Sequence, residues 1–136
     1  MPNSKQHQAK ASHNRAFLAS INLNDFPDWA AVAAFYGAVH LIERLRTLRP
    51  NASDQHSTDH QDRLQFVQTH HRAIHTPLHE LFNASLIARY QTVQSFRSQF
   101  SLADVQNTLI DTYLVAIENY VAAQFQPVPP PTSAGS

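Results

Sequence analysis

The sequence contains no cysteine, which excludes disulfide bonds and metal sites built from thiolates. It also lacks a long uninterrupted apolar run. The longest one is broken by His40, Glu43 and Arg44, and a membrane-spanning helix needs about 20 apolar residues. The polar opening, MPNSKQHQAK, carries no secretory signal. These absences predict a cytoplasmic protein with no membrane segment.

Net charge is lacking as well, since ten basic residues balance ten acidic ones. A neutral chain does not attract nucleic acid over its whole surface, so any contact with RNA must come from a local patch. Lysine is scarce: Lys5 and Lys10 are the only two, and the remaining eight cations are arginines. Arginine suits fixed, bidentate contacts with phosphate groups.

Strand signals are nearly absent, and apolar residues recur at three- and four-residue spacing along most of the chain. The sequence therefore predicts an all-α protein, an up-and-down bundle of about five helices. At 136 residues it has the size of one domain. We expect a disordered N-terminal tail over residues 1–11, the bundle over 12–126, and a proline-rich disordered tail over 127–136.

The stretch from Asp28 to Leu48 is predicted to be the central helix of this bundle. Its apolar positions form one stripe from Val32 to Leu48. Alanines and Gly37 make its first half narrow, so that neighbouring helices approach closely. Asp28 is the expected N-cap, and Pro50 ends the helix.

Four further helices are predicted from the same periodicity: residues 12–22, from 58 or 59 to 75, from 77 to 90, and 102–124. Pro77 either kinks the third helix or begins the fourth, with Thr76 as its cap. Residues 91–100 are ambiguous, because their aromatic side chains would also cover the bundle end in an extended conformation.

The last of these helices begins at Ser101 and Asp104, which have the spacing of a capping box. Its predicted inward face includes Thr112 and Ala123. A second apolar flank, around Ile110 and Leu114, either places the helix centrally or meets another subunit.

Four segments together carry a resemblance to the HEPN superfamily. They are AFYGAVHLIE over 34–43, His60-x-x-Arg63, LHELFNASLIARY over 78–90, and FSLADV over 100–105. The resemblance implies a helical bundle that is commonly a homodimer. Many members are metal-independent ribonucleases of toxin–antitoxin, CRISPR or phage-defence systems, some with a nucleotidyltransferase-like antitoxin. Others bind nucleotides or act as scaffolds without catalysis.

The nuclease members of that family carry an arginine, a gap of four to six residues, and a histidine. Arg63 and His70 match this pattern, with LQFVQT between them, and are therefore the predicted catalytic residues. Leu64 departs from the family, whose active members usually have a polar residue there. Cleavage of RNA without a metal needs a base for the 2′-hydroxyl proton and a cation for the phosphorane, which histidine and arginine supply. The alternative is a solvated helix face that contains both residues.

Six further residues are predicted to contact RNA or a nucleotide, because they lie in the segments that resemble the family or form a cationic patch with an aromatic ring. They are Tyr36, His40, His60, Arg72, Arg89 and Tyr90. A hydrogen-bonded structural histidine is the alternative for His40, and a buried pair with a carboxylate is the alternative for Arg89. A second reading of the whole chain is a non-catalytic module that binds a nucleotide or protein partner or forms a dimer.

His71, His75 and His79 are spaced by four residues and are followed by Glu80, which on a continuous helix would resemble a ladder of metal ligands. Pro77 interrupts that register and no fourth ligand is evident. We therefore predict no metal site and no cofactor, and interpret these histidines as a pH-sensitive polar face.

Overall fold

The computed structural model describes residues 2–126, so the predicted disordered tail over 127–136 lies outside the described part. Within residues 2–126 the chain forms helices and no β-strand, which confirms the all-α prediction. Six helices replace the predicted five: α1 Ser4–Ser20, α2 Pro27–Arg46, α3 His60–His70, α4 His75–Tyr90, α5 Val93–Gln99 and α6 Val115–Gln124. A π-helical segment, Asp104–Leu114, runs directly into α6.

Helix α2 is the centre of the bundle, as predicted. It packs against α1, α4, α5, α6 and the π-helical segment. Its alanines are all buried, and Ala30 and Ala34 have no exposed surface, so helices approach it closely on several sides. Pro27 rather than Asp28 begins the helix, which places Asp28 in the first turn beside the positive helix end. Leu48, predicted to extend the apolar stripe, is 54% exposed because the helix ends at Arg46.

Helix α1 begins at Ser4, so the prediction of a disordered tail over residues 1–11 is wrong for most of that range. Asn3 and Gln6 form a capping box, in which each side-chain oxygen accepts a hydrogen bond from the backbone N–H of the other residue, at 2.9 and 2.8 Å. The inward face consists of His7, Ala11 and Leu18. Because a histidine and an alanine give no apolar periodicity, the sequence did not predict that the helix extends over residues 4–11.

The third and fourth helices are separated by a break at His71, followed by a 3₁₀ turn, Arg72–Ile74. Helix α4 then starts at His75, two residues before the predicted position. Pro77 occupies the third position of α4, where its missing N–H would have had no partner within the helix. Pro77 therefore neither kinks α3 nor begins α4, and Thr76 is not a cap.

Residues 91–100 contain a short helix, Val93–Gln99, and are extended only at Gln91, Thr92 and Phe100. The Thr92 hydroxyl accepts a hydrogen bond from the backbone N–H of Ser95 at 3.1 Å and begins α5. Phe96 is fully buried, and its ring stacks on that of Phe100 with centroids 4.9 Å apart. This helix of seven residues, about two turns, therefore covers this end of the bundle.

The predicted capping box before the last helix is confirmed, since Ser101 and Asp104 exchange hydrogen bonds of 2.9 and 3.0 Å. Beyond it, the π-helical segment makes i to i+5 contacts, including one from the Thr112 hydroxyl to the Asn107 carbonyl at 2.7 Å. This wider turn shifts the buried face. Thr112 and Ala123, predicted to be buried, are exposed, and the inward side chains are Val105, Leu109, Ile110, Leu114, Ile117 and Val121.

The second apolar flank of the last helix is therefore buried within one copy of the chain, at Ile110 and Leu114. Among residues 2–126, none of the helices has the length and apolarity needed to cross a bilayer.

Candidate functional site

A connected set of polar side chains lies where α2, α3 and α4 meet: Tyr36, Glu43, His60, Arg63 and Arg89, which we call the arginine–histidine cluster. Arg63 is at its centre. The Arg63 Nε donates to Glu43 Oε1 at 2.9 Å, and Nη1 contacts His60 Nδ1 at 2.6 Å. Arg63 and Glu43 are both buried, with 9% and 6% of their surface exposed.

Local structure on α3 brings two members of the cluster together. Asp59 caps the helix through its side chain, which accepts a hydrogen bond from the Asp62 N–H at 2.8 Å. His60 and Arg63 follow at a spacing of three residues and so share one helix face. The loop before α3 is fixed to the same place, because Glu43 Oε2 also accepts the backbone N–H of Ser57 at 3.1 Å.

His60 is enclosed by aromatic rings. Its ring centroid lies 5.2 Å from that of Phe35 and 5.2 Å from that of Phe82. Burial lowers the pKa of His60, and the charges of Arg63 and Arg89 lower it further, although Asp59 opposes them. Because arginine can only donate, His60 Nδ1 accepts the hydrogen bond and the proton is on Nε2. His60 is therefore a neutral imidazole at pH 7.

Arg89 extends the cluster to the surface. Its Nη1 donates to the Tyr36 hydroxyl at 3.1 Å, and its Nε donates to the Ser85 carbonyl at 3.3 Å. The guanidinium lies 5.3 Å from the ring centroid of Tyr90, which is 77% exposed. Throughout residues 2–126, no carboxylate lies within 4.0 Å of the Arg89 side-chain nitrogens. Arg89 is thus an oriented cation whose charge is not neutralised by a partner.

A second group of histidines lies beside the cluster, between α1 and α2. His7 Nδ1 and His40 Nδ1 are 3.4 Å apart, and the His7 and His56 ring centroids are 6.2 Å apart. His7 is 5% exposed, and its Nε2 is buried without a hydrogen-bond partner in the described range. A buried donor without a partner is costly. We therefore assign the proton of His7 to Nδ1, which donates to His40.

Stability is expected to fall as the pH drops below about 6.5 because of this pair. Burial is the main cause that lowers the pKa of both His7 and His40. The pKa of His7 is lowered further by His56 and Arg63, and the pKa of His40 is lowered further by His7, Lys10 and Arg63. The charge of Glu43 opposes these effects by raising both pKa values. The unfolded chain then binds more protons than the folded one below the ordinary pKa of 6.5.

Thermal unfolding between about pH 7.5 and about pH 5 measures this effect. The His7→Leu variant should show a smaller decrease of melting temperature than the wild type, because it removes the buried imidazole. His13→Leu, at an exposed position of α1, is the matched control. Equal pH dependence of His7→Leu and the wild type would contradict the expectation.

The structure brings four of the predicted binding residues together: Tyr36, His60, Arg89 and Tyr90 lie in or beside the cluster, as does Arg63. His40 belongs to the neighbouring histidine pair. His70 and Arg72 are apart from it. His70 is the exposed last residue of α3 and packs against the Phe66 ring at 5.4 Å, and Arg72 is exposed in the following turn. Their proposed roles stay predictions.

The spaced histidines after α3 do not form a ladder. His71 lies at the helix break, where its Nδ1 is 2.8 Å from the Tyr120 hydroxyl. The His75 and His79 rings stack with centroids 5.9 Å apart. In the part of the chain that the structure describes, no three or more histidine, aspartate or glutamate side chains are arranged to hold a metal ion.

The sequence did not predict Glu43 as a member of the cluster, nor His7 as the neighbour of His40, nor His56 as a neighbour of His7. A signal for Glu43 was present. Tyr36, His40 and Glu43 are spaced by four and three residues, so polar groups share one face of a helix that is otherwise apolar. No comparable signal marked His7, since its neighbours in sequence are polar.

Comparison with protein-family models, with curated proteins and with solved structures finds no match to this chain.

Proposed function

We propose that this protein is a HEPN-like protein that binds single-stranded RNA at the arginine–histidine cluster and cleaves it without a metal ion. One observation carries the proposal. Residues from three separate segments that resemble the family form two hydrogen-bonded pairs, His60–Arg63 and Tyr36–Arg89, which lie side by side with the Tyr36 and His60 ring centroids 6.3 Å apart. Arg89 offers a phosphate an oriented cation, and Tyr90 offers an exposed ring for a base to stack on.

The chemistry follows from the state of His60. The nitrogen of the neutral His60 that carries no proton is Nδ1, which accepts from Arg63 Nη1. In this scheme Arg63 Nη1 leaves Nδ1 and contacts the phosphate, so that Nδ1 can accept the proton of a ribose 2′-hydroxyl. The 2′-oxygen then attacks the adjacent phosphorus, the bond to the 5′-oxygen breaks, and that oxygen leaves with a proton returned by the imidazolium. The products are a 2′,3′-cyclic phosphate and a 5′-hydroxyl. Arg89 and Arg63 stabilise the charge on the phosphorane oxygens.

Two histidines are candidates for the base in this scheme. His60 contacts Arg63 directly, at 2.6 Å. His70, the histidine of the family spacing, lies seven residues after Arg63 along α3, which corresponds to about 10 Å of helix rise. We assign the base to His60 and give His70 a role in a homodimer, where a second copy contributes its own α3.

Binding of RNA tests the proposal without requiring turnover. Arg89→Ala is expected to raise the Kd for a short single-stranded RNA about tenfold, because a hydrogen bond to a charged group contributes about 1.5–3 kcal/mol. The slope of log Kd against log salt should also decrease, since one phosphate contact is lost. Fluorescence anisotropy with labelled RNA in EDTA measures both.

Arg97→Ala is the matched control, because Arg97 is an exposed arginine on α5 whose guanidinium donates to the Asn24 carbonyl at 2.6 Å. It should leave the Kd within about twofold of the wild type. Equal losses in both variants would indicate a non-specific charge effect and contradict the assignment to the cluster.

A non-catalytic binding or dimerisation module is the second candidate, and two observations favour it. The Arg63 guanidinium is buried and held by Glu43, which is the geometry of a structural ion pair. In addition, Phe17, Phe26 and Trp29 are more than half exposed around one groove, which offers an apolar surface to a protein partner. RNA that is bound but never cleaved, with or without a nucleotidyltransferase-like partner, would favour this candidate.

A further inference from the structure

A groove of about 420 Å³ between α3 and α4 is lined mainly by side chains that both donate and accept hydrogen bonds. Its volume lies within the range of about 300–1,000 Å³ for small-molecule sites. The polar residues that line it are Gln61, Gln65, Gln68, His75, His79 and Asn83, and the other lining residues are apolar. None of them is an arginine, lysine, aspartate or glutamate, so this groove suits a neutral, planar, polar ligand.

The groove continues from the arginine–histidine cluster. Gln61 follows His60 directly in α3, and Phe82, which lines the groove, packs against the His60 ring at 5.2 Å. On α4, Leu86 lies three residues before Arg89 and so shares a helix face with it. A strand whose phosphate contacts Arg89 would therefore place a neighbouring nucleotide beside this groove.

We propose that the groove binds one unpaired adenine base of the RNA strand; this inference rests on the proposed function. Carboxamide groups match the adjacent donor and acceptor on the edge of adenine, and Gln68 and Asn83 present such groups. Guanine is recognised mainly by arginine or lysine and cytosine by carboxylates, and neither kind of group lines the groove.

The two stacked imidazoles add a flat surface for the base. The His75 and His79 rings are nearly parallel, with an interplanar angle of 17°. Unpaired bases in protein–RNA complexes commonly stack on aromatic side chains, histidine included. Stacking holds the base in the groove whatever its identity, and the carboxamides select adenine.

The experiment compares two labelled oligouridines of equal length, one of which carries a single central adenine. Fluorescence anisotropy in EDTA gives Kd for each with the full-length protein. The wild type is expected to bind the adenine-containing strand about tenfold more tightly. In Gln68→Leu and Asn83→Leu this ratio should fall to about one, because the adenine-containing strand loses its additional affinity. Gln94→Leu, at an exposed position of α5, is the control and should keep the wild-type ratio.

The outcomes separate this inference from the proposed function. If the wild type binds both strands equally, or if the two groove variants keep the wild-type ratio, the adenine site is wrong while RNA binding stands. If neither strand is bound at all, the proposed function is wrong and the adenine site fails with it. Circular dichroism of each variant verifies that the fold is unchanged, as expected for substitutions at the protein surface.

Discussion

Alanine in place of Glu43 is expected to lower the free energy of unfolding by about 3–5 kcal/mol. Glu43 is 6% exposed, and its carboxylate accepts hydrogen bonds from Arg63 Nε at 2.9 Å and from the Ser57 N–H at 3.1 Å. Removing it leaves a buried guanidinium without its counterion and a backbone donor without its acceptor. Urea denaturation followed by circular dichroism measures the loss.

The matched control is Glu118→Ala. Glu118 pairs with Arg15 at 3.3 Å, but both side chains are about one third exposed, so solvent screens the pair. Burial raises the pKa of Glu118, although the charge of Arg15 opposes it. A pair of this kind contributes about 0–1 kcal/mol. Glu43→Gln, which keeps the shape but removes the charge, should lie between the two. If Glu43→Ala and Glu118→Ala destabilise the protein equally, the buried pair is not the support of the cluster.

His60→Ala is expected to reduce the rate of RNA cleavage by about 100- to 10,000-fold, which is the usual contribution of a general base. The imidazole is neutral and hydrogen-bonded to Arg63 at 2.6 Å, and no other histidine among residues 2–126 hydrogen-bonds to that guanidinium. The rate is measured on a mixed-sequence RNA in EDTA. Because His60 also packs against Phe35 and Phe82, His60→Gln is tested too; it fills the space and still accepts a hydrogen bond.

The comparison that decides the base is His60→Gln against His70→Ala. Loss of cleavage in the first supports the assignment made from the geometry. Loss only in the second contradicts it and supports the Arg63–His70 pair inferred from the family spacing. His13→Ala is the control, since His13 is exposed on α1. If the wild type cleaves no RNA at any protein concentration, the nuclease part of the proposal fails and the binding part remains.

The fold class and the central helix could be predicted because they depend on patterns within short stretches of sequence. Apolar residues at helical spacing predicted the all-α class, and the alanines around Gly37 predicted that α2 is central. The capping box at Ser101 and Asp104 was also readable, because it depends on two side chains three residues apart. These features are local, so a single sequence contains them.

The errors concern interactions that local patterns do not encode. The start of α1 was missed because its inward side chain is His7, which contacts His40 on another helix. The prediction of the buried face of the last helix assumed an α-helix, with 3.6 residues per turn. The wider π-helical turn places Ile110 and Leu114 inside and Thr112 outside. A change in helix type results from packing, and the apolar spacing alone did not reveal it.

In the candidate site, the residues were predictable from the sequence, but the contacts between them were not. Tyr36, His60, Arg63 and Arg89 were singled out from the segments that resemble the family, and the structure places them in contact. The pairing within the site was not predictable. The spacing in sequence pointed from Arg63 to His70, whereas the Arg63 side chain extends to His60 and Glu43.

The most direct test of the account is an NMR titration of the ¹⁵N-labelled protein with single-stranded RNA in EDTA. If the arginine–histidine cluster is the binding site, the largest changes in amide shift should occur at Tyr36, His60, Arg63 and Arg89, and with Arg89→Ala the same changes should require about tenfold more RNA. Shift changes confined to the groove of Phe17, Phe26 and Trp29, or no change at saturating RNA, would contradict it.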